Sequence, residues 1–164
     1  MNRGFSHVGL STLDMEATID FYERILGFER LGENRIGVAE GGFLRQVLFD
    51  IGEGQFVAFM EAHDVPEIAV DYDTGINAAL GVPNMFYHFA FGVESLEALD
   101  TRRSELIAHG VSVSSLVEHG PATSFYVKDP NRVQLEFTVA TRELDEEDAA
   151  GSFEIRRAML DPED

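Results

Sequence analysis

The sequence predicts an α+β fold built from two tandem βαβββ modules, and three observations predict it. Strand-like alternation gives way to helical spacing and returns to strands twice along the chain, in the same order each time. Each cycle has a glycine where its helix should stop, Gly27 and then Gly110. Each cycle also opens on a histidine-bearing strand and closes near a glutamate, His7 with Glu61 and His88 with Glu136. An internal repeat of this kind signals units that pack together, because one module alone leaves an apolar sheet face uncovered.

The first strand is expected over Phe5 to Ser11, where Phe5, His7 and Gly9 share one side. Asp14 or Thr12 can cap the helix that follows, whose apolar positions Met15, Ile19, Tyr22 and Ile25/Leu26 recur every three or four residues. A strand from Phe28 comes next, then Phe43 to Ile51 and Gln55 to Met60, joined by the hairpin turn Gly52-Glu53-Gly54. The second cycle runs Phe86 to Val93, a helix from Leu96 to His109, then strands Val111 to Val117, Ser124 to Lys128 and Val133 to Val139. Asp129-Pro130-Asn131 turns the chain between the last two. The domain boundaries that result are 1–63 and 84–140 for the modules, 64–83 for a connecting segment, and 141–164 for an acidic C-terminal extension. The connection carries a short helical candidate at Gly75 to Leu80 and is long enough either to cover a binding site or to serve as a plain crossover. The extension holds a second short helical candidate, Phe153 to Leu160.

Composition narrows the chemistry. A chain of 164 residues with 45% hydrophobic content buries an ordinary core. Its 30 acidic against 12 basic residues give a formal net charge of −18, a field that repels nucleic-acid phosphates and anionic lipid surfaces. Neither nucleic acid nor membrane is expected as a partner, and no leader or membrane-spanning run is read, so a cytoplasmic location is the default. With no cysteine, any metal must rest on His, Asp and Glu.

Glu136 shares a strand face with Gln134 and Thr138, while Leu135, Phe137 and Val139 take the other face, under a helix. It therefore points to a polar side. His7, His88 and Glu136 together make two imidazoles and one carboxylate, a donor set suited to iron, manganese, zinc or nickel that leaves coordination positions open. Glu61 is a candidate fourth ligand, with a strand end in water as its alternative. His63 and His109 are set aside, the latter because a helix C-terminus welcomes a partial positive charge. Phe43, Phe59 and Phe86 are candidates to wall an apolar pocket.

The segments His7-Val8-Gly9-Leu10, Phe21 to Phe28, Tyr87-His88-Phe89-Ala90-Phe91 and Phe125 to Phe137 resemble the vicinal oxygen chelate superfamily. That group holds glyoxalases, extradiol dioxygenases, fosfomycin-modifying enzymes and bleomycin-binding proteins, and the resemblance spans about residues 4–139. It implies paired half-barrels around a metal held by His7, His88 and Glu136, a small-molecule substrate and a homodimer. The run from Val117-Glu118-His119 through Phe125-Tyr126 and Asp129-Pro130 to Glu136 is similar to the extradiol dioxygenase signature. By that resemblance the metal is Fe(II), with Mn, Zn or Ni as substitutes, the reaction is ring cleavage of a catechol-like molecule, and His119 and Tyr126 are catalytic. Two residues depart from the pattern. Arg132 stands where the signature has glycine or proline, so either Asn131 takes the left-handed conformation or the turn is shorter. Glu61 fits instead a glyoxalase-like lyase or isomerase with four ligands. A small-molecule-binding resistance protein is the third reading.

Overall fold

A computed structural model describes residues 4–146 and 148, so the helical candidate at Phe153 to Leu160 lies outside the described residues. The chain divides into two compact units, one of residues 1–79 with 129–133 and one of residues 80–128 with 134–164. The turn that starts at Asp129 therefore belongs with the first unit.

In the first unit, β1 (His7–Ser11), β2 (Arg30–Gly37), β3 (Phe43–Gly52) and β4 (Gln55–His63) form one sheet in the order β1-β4-β3-β2. β1 runs parallel to β4, and the other pairs are antiparallel. Helix α1 (Met15–Ile19) starts at Asp14, whose carboxylate accepts the Ala17 N–H at 2.9 Å, as the capping preference predicts. The helix then widens into a π-helical turn over Asp20–Ile25, in which the Leu26 N–H reaches back to the Phe21 carbonyl at 2.8 Å. Phe21, Tyr22 and Leu26 are all buried along it, and Gly27 at φ +71° ends it. Tyr22 stacks on Phe49 with 5.4 Å between centroids and lies 4.8 Å from Phe59, so β3 and β4 turn those side chains toward the helix. Phe59 is fully buried there, and Phe43 lies on the same sheet face, stacked on His63; neither walls a pocket on the His7 side.

Beneath the helix runs a buried polar network. The Tyr22 hydroxyl donates to Asp129 Oδ2 at 3.1 Å, and Asn131 Nδ2 donates to Thr18 Oγ1 at 3.1 Å. Asp129 Oδ1 also accepts the backbone N–H groups of Asn131 and Val133, at 2.9 and 2.8 Å. Each buried polar side chain of this network thus has a partner, which is the condition for burying them at all. The connection holds a helix, α2 (Ile76–Leu80), where the sequence predicts one.

The second unit repeats the plan. β5 (His88–Gly92), β6 (Val117–Glu118), β7 (Ala122–Lys128) and β8 (Gln134–Ala140) are ordered β5-β8-β7-β6, with β5 parallel to β8. Helix α3 (Leu96–Ala108) is capped by Ser95 and buries Leu99 and Leu106. The expected strand Val111 to Val117 is reduced to an isolated bridge at Val113 and the two residues of β6. Ser114 accounts for this. Its N–H still reaches the Tyr126 carbonyl at 3.0 Å, but the Tyr126 N–H returns to the Ser114 hydroxyl at 2.9 Å instead of to a backbone carbonyl, so a side chain takes one half of the ladder pair there.

Candidate functional site

The second unit concentrates its polar side chains on one sheet face. Strand alternation on β8 puts Leu135, Phe137 and Val139 in the core, with Phe137 stacked on Phe125 at 5.1 Å, and leaves Gln134, Glu136 and Thr138 on the opposite face. Pairing brings Tyr126 of β7 directly beside Glu136, and β5 flanks β8 on its other edge with His88 level with Gln134.

His88 Nδ1 lies 3.1 Å from the Met85 carbonyl, which can only accept, so this nitrogen carries the proton. Its Nε2 then faces Glu136 Oε2 at 3.0 Å. A neutral ring would set two lone pairs against each other at that distance, so either a proton or a metal ion must lie between them. Two donors about 2.1 Å from one ion are about 3.0 Å apart when they meet at nearly a right angle, so the pair fits as two ligands of one divalent ion. The Met85 carbonyl is the kind of outer partner that fixes the tautomer of a ligating imidazole.

Next to this pair stands Tyr126, whose hydroxyl is 2.9 Å from Nε2 of the exposed His119. Burial first, then the charge of Glu136 and a hydrogen bond to it, push the Tyr126 hydroxyl up to about 12. Tyr126 is therefore a neutral hydrogen-bond donor near neutral pH. His88, Glu136, Tyr126 and His119 are thus gathered in one unit.

The remaining two sequence candidates lie in the first unit, and on different faces of its sheet. His7 is exposed at the start of β1, with its Nδ1 3.3 Å from the Ser6 hydroxyl, and its register partner on β4 is Phe56. Counting from there, the position that matches Glu136 is Ala58, since His88 pairs with Gln134 as His7 pairs with Phe56. Glu61 shares the face of Phe59 on β4 and turns toward the helix. Its Oε1 accepts the Met15 N–H at 3.0 Å and its Oε2 lies 2.7 Å from His63 Nε2. Neither unit by itself gathers three or more His, Cys, Asp or Glu donors around one point among the described residues.

Arg132 itself takes the left-handed conformation, at φ +62°, rather than Asn131 or a shortened turn. Asn131 is held by Asp129 and Thr18, and the Arg132 guanidinium bonds Asp73 at 2.5 Å. Sequence reasoning missed Met85, which acts through its carbonyl and leaves no side-chain signal.

Residues 4–137 match the family model described as the Glyoxalase/Bleomycin resistance protein/Dioxygenase superfamily, and the chain belongs to that superfamily. No curated protein matches it in sequence. Among solved structures, it is similar to a glyoxalase family protein from Enterococcus faecalis, with 22% identity and a TM-score of 0.58 over 83% of this chain and 97% of the other. The fosfomycin resistance protein FosX from Listeria monocytogenes gives 21% identity and a TM-score of 0.58, covering 86% and 96%. TnmS3, an antibiotic binding protein from a Streptomyces species, gives 14% and 0.59, covering 85% and 98%. At these identities the likeness is one of fold. No described helix is long and apolar enough to cross a membrane.

Proposed function

We propose that the chain is a metal-dependent enzyme with a three-ligand centre of His7, His88 and Glu136, and that it cleaves the ring of a catechol-like small molecule with dioxygen. The observation that carries this reading is the His88–Glu136 pair, 3.0 Å apart, with the Tyr126–His119 pair beside it. His7 enters as the third donor by the correspondence of the two first strands. When bound, a ferrous ion would supply Lewis acidity toward the diol oxygens and the one-electron chemistry that dioxygen requires.

The chain's own residues then do the following. His119, exposed and with its Nε2 2.9 Å from the Tyr126 hydroxyl, takes the proton of an entering diol. Tyr126, kept neutral by burial and by Glu136, donates a hydrogen bond to a substrate oxygen and stays poised beside His119. Glu136, only 8% exposed, keeps its orientation because β7 and β5 flank it on both sides. Both atoms of dioxygen enter the product, so no external reductant is needed.

Ala58 at the place matching Glu136 speaks against the four-ligand lyase or isomerase reading, because the second carboxylate is missing there. A second reading, capture or modification of an antibiotic, draws on the apolar face that His7 shares with Phe56, Ala58 and Met60. The fosfomycin resistance and antibiotic binding proteins among the structural neighbours point the same way. The deciding experiment is anaerobic loading with ferrous ion, followed by a catechol panel read by oxygen uptake and by the colour of ring-opened product. Uptake with coloured product is the expected result. Tight zinc or nickel binding with neither signal would overturn the dioxygenase assignment. A homodimer belongs to the same reading, checked by light scattering on the eluting protein.

A further inference from the structure

The first unit holds a cavity of about 290 Å³ at the far end of β4, under the connecting segment and on the helix side of the sheet. Glu61, His63, Asp64 and Tyr72 supply its polar lining, and Leu13, Val65, Ile68 and Val70 its apolar wall. We infer that this cavity is a second small-molecule site, distinct from the His88–Glu136 centre, and that it takes a small organic amine in its cationic form.

Four features support the assignment. The Glu61 side chain is 14% exposed, and its two bonds, to Met15 N–H and to His63, use only two of the roughly four acceptor positions of a carboxylate. His63 is held rigidly, with its ring stacked on Phe43 at 4.7 Å and 9° and its Nε2 tied to Glu61. Asp64 adds a second carboxylate, so the lining keeps a net negative charge even with a protonated His63 against Glu61 at 2.7 Å, and the nearest guanidinium, Arg45, stands 4.0 Å from Glu61 while already bonded to Glu16 and Glu33 at 2.7 Å each. The surplus is negative, so an anion is disfavoured and an ammonium favoured, with the Tyr72 ring available as a further cation partner. The backbone of the rim is also fixed. Asp64 sits at φ +53°, and Gly42 packs so closely that a Cβ there would lie 2.3 Å from the His63 carbonyl. That side of the pocket is fixed while the other is open to solvent, with Val70 90% exposed, and a volume at the lower end of the range for ligand pockets suits a ligand of fragment size.

The test uses the full chain labelled with ¹³C at Ile, Leu and Val methyl groups, titrated with benzylamine, benzyl alcohol and benzoate. Benzylamine should shift the Val65, Ile68 and Val70 methyls saturably, and the other two probes should not. Glu61→Gln, which keeps the shape and an acceptor but removes the charge, should weaken benzylamine by about tenfold. Ala69→Leu, placed in the connecting segment to fill the cavity, should abolish the shifts while the rest of the spectrum stays that of the parent. No saturable shift, equal response to all three probes, or unchanged affinity in Glu61→Gln would overturn the inference. None of these outcomes depends on metal or on oxygen uptake.

Discussion

The two sheets share one backbone plan and differ in what they carry. β1-β4-β3-β2 and β5-β8-β7-β6 have the same order and the same parallel first pair. Matching positions by register sets His7 against His88, Ala58 against Glu136 and Leu48 against Tyr126. One face is thus a histidine among Phe56, Ala58, Met60 and Leu48, and the other a histidine among a carboxylate, a phenol and a second imidazole. The shared plan lies in backbone hydrogen bonding, which does not dictate the side chains on the face away from the helix, so polar groups gather on that face in the second unit and not in the first.

The sharpest way to break the comparison is to make the second face resemble the first. Glu136→Ala gives β8 the residue that β4 has at the matching position. It should lower divalent-metal affinity by at least about 100-fold, measured by titration calorimetry, because the proposed centre loses one ligand and His88 loses the charge opposite it. The fold should survive, since the change relieves a largely buried carboxylate of its need for a partner. Retained metal affinity would show that the pair in the second unit is not the metal anchor.

What sequence could and could not show follows from the same contrast. β8 alternates polar and apolar residues, so the face of Glu136 is legible in the sequence. β4 reads Phe56, Val57, Ala58, Phe59, Met60, apolar on both faces, so alternation gave no face for Glu61. Only the pairing of His7 with Phe56 decides it, and pairing between distant segments is not written in local pattern. The strand predicted at Val111 failed for a related reason: Ser114 competes for the ladder through its side chain, which propensity does not register. The repeat, both helix stops and both hairpin turns were legible because glycine and proline act locally.

A smaller effect separates the cores. Tyr22 is fully buried, and burial, then the charge of Asp129 and the bond to it, raise its hydroxyl well above the ordinary tyrosine range. In the unfolded chain the same group ionises near about pH 10. Stability from this shift is therefore whole below about pH 10 and is lost as pH climbs from there toward the folded-state value, because the unfolded state alone releases the proton. Burial also raises Asp129, whose charged form is the costly one, so acidification toward its folded pKa adds relative stability rather than removing it. Tyr22→Phe should cost about 1–2 kcal/mol at neutral pH through the lost hydrogen bond, and should flatten the fall in denaturation midpoint above pH 10. An unchanged alkaline limb would place the titrating group elsewhere.

The smallest expected effect lies at Arg132. A non-glycine residue at φ +62° costs about 1–2 kcal/mol, and its ion pair with Asp73 is exposed enough to return no more than about 1 kcal/mol. Glycine would remove the strain but also the ion pair, and would add conformational freedom to the unfolded chain worth about 0.5–1 kcal/mol. These nearly cancel, so Arg132→Gly should stay within about 1 kcal/mol of the parent in urea denaturation. Arg132→Ala keeps the strained Cβ and loses the pair, so it should fall below the glycine variant by about 1 kcal/mol. Asn131 cannot take over the left-handed position in either variant, because its backbone N–H and side chain are already spent on Asp129 and Thr18. Equal stability of the alanine and glycine variants would mean that the turn relaxes when the guanidinium goes, and that Arg132 holds the strain in place rather than merely enduring it.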